Sequence, residues 1–366
     1  MKFSGVKFYC PILGPTGYVY FGLGLAEELN KLTNMGLYAI DAPPGFDYRM
    51  VMGPQLLSSI HVADVLPRDT PAIILTMGGR SSFFRATGNP LIGYHMWESD
   101  KPPADYVSAL TEMDEVWVPS KWGAECFKKA GVEKAIAMPG GVNPYVFNDM
   151  VPKAPELTSR QTFKFLCVGK WERRKGYDLL LKAWAQTFKP DEPVELVLSA
   201  YNPFLKDFNI WQKITQLHLG EMANLVVIDK PIQSYTEMAT LYSSCDAFVM
   251  PTRGEGWNMP LIEAMSTGLP SIVTNWSGHT EYATKDNAYL LDYETVPAQN
   301  DPMWQRNFEG SNWAEPDFKQ LCEYMRYVYD NKAEAKKKGV RAAKDVRSQW
   351  TWQHAAERII KRLKAI

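Results

Sequence analysis

Two glutamates eight residues apart, Glu255 and Glu263, stand in PTRGEGWNMPLIEAMSTGLPSIVTN, residues 251–275. The pattern predicts a strand ending at Met250, a turn through Gly254-Glu255-Gly256, and a helix from about Asn258 to Thr267. One carboxylate then sits in the turn and the other about a turn and a half inside the helix. Such a pair can accept hydrogen bonds from hydroxyls at separate points of a polyol ligand. The N–H groups of Trp257, Asn258 and Met259 lack helical partners and would point at an anion or a sugar oxygen. Gly254 and Gly256 let the backbone approach closely. Glutamates at this spacing are also common as solvated pairs, but the apolar, glycine-flanked frame favours the ligand reading.

A second turn lies in FLCVGKWERRKGYDLLLKAWA (165–185), where Lys170, Arg173, Arg174 and Lys175 gather between a strand and a helix. Four cations there could neutralise a diphosphate, assisted by helix N–H groups. A plain surface charge run is the competing reading, and the position after a strand favours phosphate. In the first half, GPTGYVYFGLGLAEEL (14–29) places Gly14 and Gly17 after the first strand, and LIGYHMWESDKPP (91–103) places His95, Glu98 and Asp100 after another. Taken alone, His95 is as readily a packed ring as a catalytic one. Trp97 and Trp257 read equally as ligand-facing or core. His61, His218, His279 and His354 have no metal-ligand spacing, and no D-x-D triplet occurs. Lysines, arginines and helix N-termini can hold a diphosphate without a metal ion, so metal-independent chemistry is expected.

The elements that must carry these turns alternate from end to end. Strands are expected at 6–12, 37–42, 72–77, 91–96, 115–119 and 135–139, with helices from Tyr20 to Leu32, Ala104 to Glu112, and after a capping Ser120. NDMVPKAPELTSRQ (148–161) is proline-rich, polar and aperiodic, as a linker between domains should be. A second series of strands follows at 163–169, 194–200, 225–229, 246–251, 271–275 and 288–291. A loop is expected from Glu294 to Glu315, then helices near 316–331, 332–348 and 351–364. The reading is α/β, with doubly wound domains at 1–150 and 151–350 and a terminal helix at 351–366.

Composition bounds the function. At 366 residues the chain is long for one core and ample for two. Forty Lys and Arg balance 41 Asp and Glu, without the basic excess of a dedicated nucleic-acid binder. Five scattered cysteines form no C-x-x-C pair, which argues against a disulfide framework or zinc cluster. The N-terminus lacks a signal peptide's apolar run, and no stretch approaches the roughly 20 apolar residues of a membrane span. A cytoplasmic location is expected. The many aromatics fit carbohydrate contacts and bulky core packing alike.

The 251–275 segment resembles the E-x7-E motif of family 4 glycosyltransferases, whose typical form is EGFGLPLLEAMA-x-G-x-P. The resemblance runs through both halves in the family's order. PGGVNPYVF (139–147) is similar to the segment before the interdomain linker, and SGHTEYA (277–283) to a loop bearing a glutamate near the donor, here Glu281. It implies a GT-B fold, two Rossmann-like domains facing across a cleft, with the terminal helix packing back on the first. It implies that Glu255 contacts the donor sugar and Glu263 the ribose. Lys170 and Lys175 would hold the phosphates, with Arg174 sharing the task and the Gly17 loop closing over them. Asn258 replaces the family's usual glycine. His95 would lie near the donor sugar and acceptor, with Glu98 and Asp100 toward the acceptor.

The implied reaction is retaining transfer from a nucleotide diphosphate sugar, UDP- or GDP-linked, with no cofactor. The acceptor would be a carbohydrate, lipid-linked or other hydroxyl, read by divergent loops such as 44–70 and 78–90. The alternatives are a silent GT-B binding module, a GT-B-like sugar-nucleotide epimerase, and a transferase acting on a nucleic-acid base. HAAERIIKRLKAI (354–366) either packs on the first domain or touches a membrane surface weakly, and its short apolar face favours packing.

Overall fold

The computed structural model describes residues 4–14, 16–63, 65–76, 86–230, 232, 234–300 and 308–366. The chain divides into two units, residues 1–143 with 349–366 and residues 144–348.

In the first unit, β1 (Val6–Cys10) leads to α1 (Gly17–Leu32), β2 (Met35–Ala39), α2 (Pro54–Ala63), β3 (Ala72–Leu75) and β4 (Leu91–Tyr94). Then follow α3 (Ala104–Thr111), β5 (Glu115–Val118), α4 (Lys121–Lys129) and β6 (Ala135–Ala137). The strands form one parallel sheet in the order β2-β1-β3-β4-β5-β6. With helices against a parallel sheet, strands lose solvent on both faces. All five residues of β1 are buried, and even Lys7 spends its ammonium on the carbonyls of Arg68 and Thr87, at 3.1 and 3.2 Å.

The second unit opens with a one-turn helix α5 (Pro155–Thr158), started by a proline inside the expected linker. It continues through β7 (Phe163–Val168), α6 (Tyr177–Thr187), β8 (Val194–Ser199), α7 (Ile210–Thr215), β9 (Leu225–Ile228) and α8 (Tyr235–Ser243). Next come β10 (Ala247–Met250), α9 (Met259–Thr267), β11 (Ser271–Thr274) and β12 (Tyr289–Leu291). These six strands are parallel in the order β12-β11-β10-β7-β8-β9. Their order reverses between β7 and β10, and ligands of such sheets bind at that reversal, beyond the carboxyl ends of the strands.

The region expected as loop from Glu294 to Glu315 corrects that expectation. It contributes an antiparallel hairpin, β13 (Tyr293–Pro297) with β14 (Asn312–Pro316), whose polar, mostly exposed first strand hides the alternation that marks a half-buried one. The chain ends with α10 (Phe318–Asp330), α11 (Lys332–Gln349) and α12 (Trp352–Leu363). The last belongs to the first unit, where it lies along α1. A Cβ on Gly24 would stand 2.5 Å from the Trp352 indole, so this glycine is what lets the ring seat. Val142 and Thr351 form a parallel bridge beside it.

The expected loop 44–70 is likewise corrected, since α2 (Pro54–Ala63) lies inside it; the remaining differences are at element ends. Helix α1 starts at Gly17 rather than Tyr20, because Thr16 caps it by accepting from the Val19 N–H. Strand β4 stops at Tyr94, ahead of the expected Met96, and β2 covers 35–39 where 37–42 was expected. Met77 and residues 78–85 of the expected acceptor loop lie outside the described residues. Among the described residues, no helix is long and apolar enough to cross a membrane.

Candidate functional site

The two turns singled out in sequence meet at the strand-order reversal of the second unit. β7 ends at Val168 and β10 at Met250, each followed by a turn and then a helix, α6 and α9. Gly176 makes the first turn fit. It has φ 74°, and a Cβ there would fall 2.1 Å from the Pro251 carbonyl oxygen, so only glycine brings the two turns this close.

The charges converge on Glu255. Its Oε1 lies 2.7 Å from Lys175 Nζ and 3.2 Å from Arg174 Nη1, and accepts from the Thr252 hydroxyl at 3.0 Å. Oε2 takes part in none of these contacts. Burial alone would raise the Glu255 pKa, but Lys175 and Arg174 outweigh it and hold the carboxyl below the usual range. Burial lowers the pKa of Lys175, against the pull of Glu255. A second carboxylate, Glu172, bridges Lys170 and Arg174, each at 2.9 Å. Burial would push it up, yet Arg174, Lys170 and Lys175 bring it down to about 2. Three cations thus face two ionised carboxylates, leaving one unit of positive charge at the carboxyl ends of β7 and β10. Glu172 escaped the sequence reading because a lone acid inside W-E-R-R-K looks like part of a solvated run.

Glu263 has a different environment. It is buried within α9, and the Tyr242 hydroxyl donates to its Oε2 at 2.9 Å. Burial raises its pKa to about 8, against that hydrogen bond. The structure therefore separates the two motif glutamates: neighbouring cations favour the ionised form of Glu255, whereas burial favours the protonated form of Glu263. The E-x7-E spacing could not reveal this, because Tyr242 arrives from α8.

Asn258 caps α9, its Oδ1 accepting from the Leu261 N–H at 3.3 Å. Its backbone is left-handed, φ 67° and ψ 69°. That accounts for the glycine usual at this position in the family resembled above, since asparagine is the side chain that tolerates such a backbone best. Its Nδ2 is buried with no hydrogen-bond partner. Trp257 is buried, edge-on to Tyr282 with ring centroids 4.8 Å apart, and Tyr282 donates its hydroxyl to the carbonyls of Trp257 and Asn258. Met259 opens α9, also buried.

The loop after β11 closes on the Gly254–Gly256 turn. Ser277 Oγ accepts from the Glu255 N–H at 2.9 Å, and the Gly278 N–H donates to the Glu255 carbonyl at 2.8 Å. Here His279 is fully buried, Nε2 bonded to the Thr274 carbonyl at 2.6 Å. Glu281 follows half-exposed at the end of a 3-10 turn. Beneath the site Arg253 joins Asp178 on α6 to Glu315 on β14, at 2.8 and 2.6 Å. Sequence gave no signal for this clamp, because its partners are 75 and 62 residues away.

The remaining candidates lie in the first unit. Gly17 begins α1 in the open, a Cβ there meeting nothing within 4 Å. Beside it the Tyr18 hydroxyl donates to the Met96 carbonyl at 3.0 Å, tying the start of α1 to the His95 loop. His95 is buried against the edges of Tyr106 and Phe127. Its Nδ1 lies 2.9 Å from the Thr76 carbonyl, so Nδ1 carries the proton and Nε2 offers a lone pair. Burial lowers its pKa to about 4. Glu98 and Asp100 are half-exposed in the same loop, which the Trp97 indole braces by donating to Ser99 Oγ at 2.7 Å.

Two parallel-sheet Rossmann-like units define the GT-B class of fold. Sucrose-phosphate synthase from Thermosynechococcus elongatus superposes with a TM-score of 0.71 over 99% of this chain and 98% of its own, at 14% identity. An Anabaena protein solved with UDP-glucose gives a TM-score of 0.67 over 99% of this chain and all of its own, also at 14% identity. Residues 162–300 match the family model of glycosyl transferases group 1. The amylovoran biosynthesis glycosyltransferase of Erwinia amylovora is 25% identical over 224 residues, 60% of this chain. The match spans 58% of that relative's length.

Proposed function

We propose that the chain is a glycosyltransferase that moves a sugar from a nucleotide diphosphate sugar to a hydroxyl of a carbohydrate or lipid-linked acceptor. The observation that carries this reading is the meeting of the 170–175 and 253–259 turns at the strand-order reversal, inside the segment matched by the group 1 model. The Anabaena protein of the same fold, solved with UDP-glucose, supports a nucleotide sugar as ligand.

In this proposal Lys170, Arg174 and Lys175 hold the diphosphate, Glu255 accepts from a hydroxyl of the donor sugar, and Glu263 meets the ribose. The open Gly17 amide is a further phosphate donor, and the neutral His95 ring an acceptor of a hydroxyl proton's hydrogen bond. The bond from the anomeric carbon to the phosphate oxygen breaks, the diphosphate leaves with the electron pair, and the acceptor oxygen takes its place. The acceptor's proton passes to the departing phosphate oxygen. Fixed cations stabilise the charge that grows there, the term that usually dominates such catalysis. The family resemblance implies retention of configuration, with attack and departure on one face of the sugar. We propose that no metal ion takes part.

The test is binding and slow hydrolysis across UDP-, GDP-, ADP- and TDP-sugars with EDTA present, for wild type and Glu263→Ala. Saturable binding of one donor, weakened at least tenfold by the substitution and indifferent to EDTA, is expected. Binding of none would leave a silent module as the better account, and a product of inverted configuration would remove the retaining assignment.

A further inference from the structure

Asn258 carries an amide that the protein itself leaves half-used. Helix α9, nine residues long, begins directly after it. Oδ1 is held by the Leu261 N–H, which fixes the plane of the amide and turns Nδ2 away from the helix. That nitrogen has two N–H bonds, is cut off from solvent, and has no partner. The residue is only 3% exposed. Leaving a buried amide donor unmade is costly, and a left-handed backbone at a non-glycine residue adds strain. Glycine would relieve both. The side chain is therefore kept at a position where the fold would be better served without it.

The geometry points to Asn258 Nδ2 as a hydrogen-bond donor to one hydroxyl oxygen of the transferred sugar, and so as a determinant of which sugar is accepted. This inference rests on the transferase reading above. A neutral donor suits a neutral oxygen, whereas the diphosphate has Lys170, Arg174 and Lys175 for its charge. Glu255, three residues earlier in the same turn, is ionised and can only accept. A hydroxyl both donates and accepts, so the amide N–H and the carboxylate together match one hydroxyl or two neighbouring ones. A phosphate, which offers acceptors alone, would be repelled by Glu255. The backbone N–H groups at the α9 start read any oxygen placed there, but the amide adds a fixed donor that glycine at this position cannot supply.

Asn258→Gly is the variant to use, because glycine takes the left-handed backbone freely and loses only a little as a cap. The dissociation constants of UDP, GDP, UDP-glucose, UDP-N-acetylglucosamine and GDP-mannose are measured for both proteins, with single-deoxy analogues of whichever sugar nucleotide binds. The variant should hold the bare nucleoside diphosphate within twofold of wild type and lose about tenfold for the sugar nucleotide, one hydrogen bond's worth. One deoxy analogue, lacking the contacted hydroxyl, should bind both proteins equally. A parallel loss for diphosphate and sugar nucleotide would show a structural role and overturn the inference. No loss for either would overturn it too, with the amide satisfied by a buried water. Failure of wild type to bind any UDP- or GDP-sugar would remove the transferase reading, and this inference with it.

Discussion

Lys175 and Lys170 belong to one basic turn yet differ in depth, with side-chain exposures of 8% and 25%. Lys175→Met would strand the buried Glu255 carboxylate with Arg174 and Thr252. A loss of roughly 3 kcal/mol is expected by urea unfolding, together with the larger fall in nucleotide-sugar affinity by calorimetry. Lys170→Met should cost less than about 1 kcal/mol in stability. Glu263 gives a pH test. Its folded pKa, about 8, lies above its unfolded value, so between the two the folded state binds more protons and stability falls as pH rises. Glu263→Gln mimics the protonated form and should flatten that slope. Its gain over wild type should grow from pH 5 to pH 9, by at most roughly 4–5 kcal/mol. His95 has the opposite sign. Its folded pKa, about 4, lies below the unfolded one, so stability drops as pH falls from 6.5 toward 4. A His95→Gln variant should keep stability over that window in thermal melts.

At the scale of elements, strand–turn–helix units hold the site because neighbouring turns fit without a side chain between them. A Cβ on Gly278 would stand 2.0 Å from the Gly256 carbonyl oxygen and 2.7 Å from that of Glu255. Backbone cannot swing aside as a lysine tip can, so Gly278→Ala should lose on the order of 3 kcal/mol and the proposed nucleotide site with it. Calorimetric unfolding and nucleotide titration would check both. The Glu255 turn and the α9 start were legible in sequence because glycine, cap and apolar period agree on one local structure. The Ser277–Glu281 loop was legible only as a resemblance, because its work is to bond another turn. The β13–β14 hairpin was missed altogether, since its polar, mostly exposed first strand shows no apolar alternation.

Across the whole molecule, the last helix returns to the first unit and completes it. The apolar side of α12, with Trp352, Ala355, Ala356, Ile359, Ile360 and Leu363, is buried, and its Arg362 pairs with Glu115 on β5. That face is taken up by protein, leaving no lipid-facing stripe on it. The Trp352 ring meets Phe21 edge-on, centroids 5.0 Å apart, and fills the notch at Gly24. Trp352→Ala should destabilise the first unit by about 3–5 kcal/mol, read by hydrogen exchange in β1 and α1. Residues 144–348 should then keep their exchange protection. By itself the sequence determined the two parallel sheets and the two strand–turn–helix units at 165–185 and 251–267, because period, glycine and capping act within about twenty residues. Only the tertiary structure decided how the polar groups around those turns are satisfied: Glu172 is paired among cations, Glu263 is pushed toward its protonated form by burial beside Tyr242, and the Asn258 amide is left unmet. Burial and long-range pairing set protonation and hydrogen-bond satisfaction, and neither is written in local spacing.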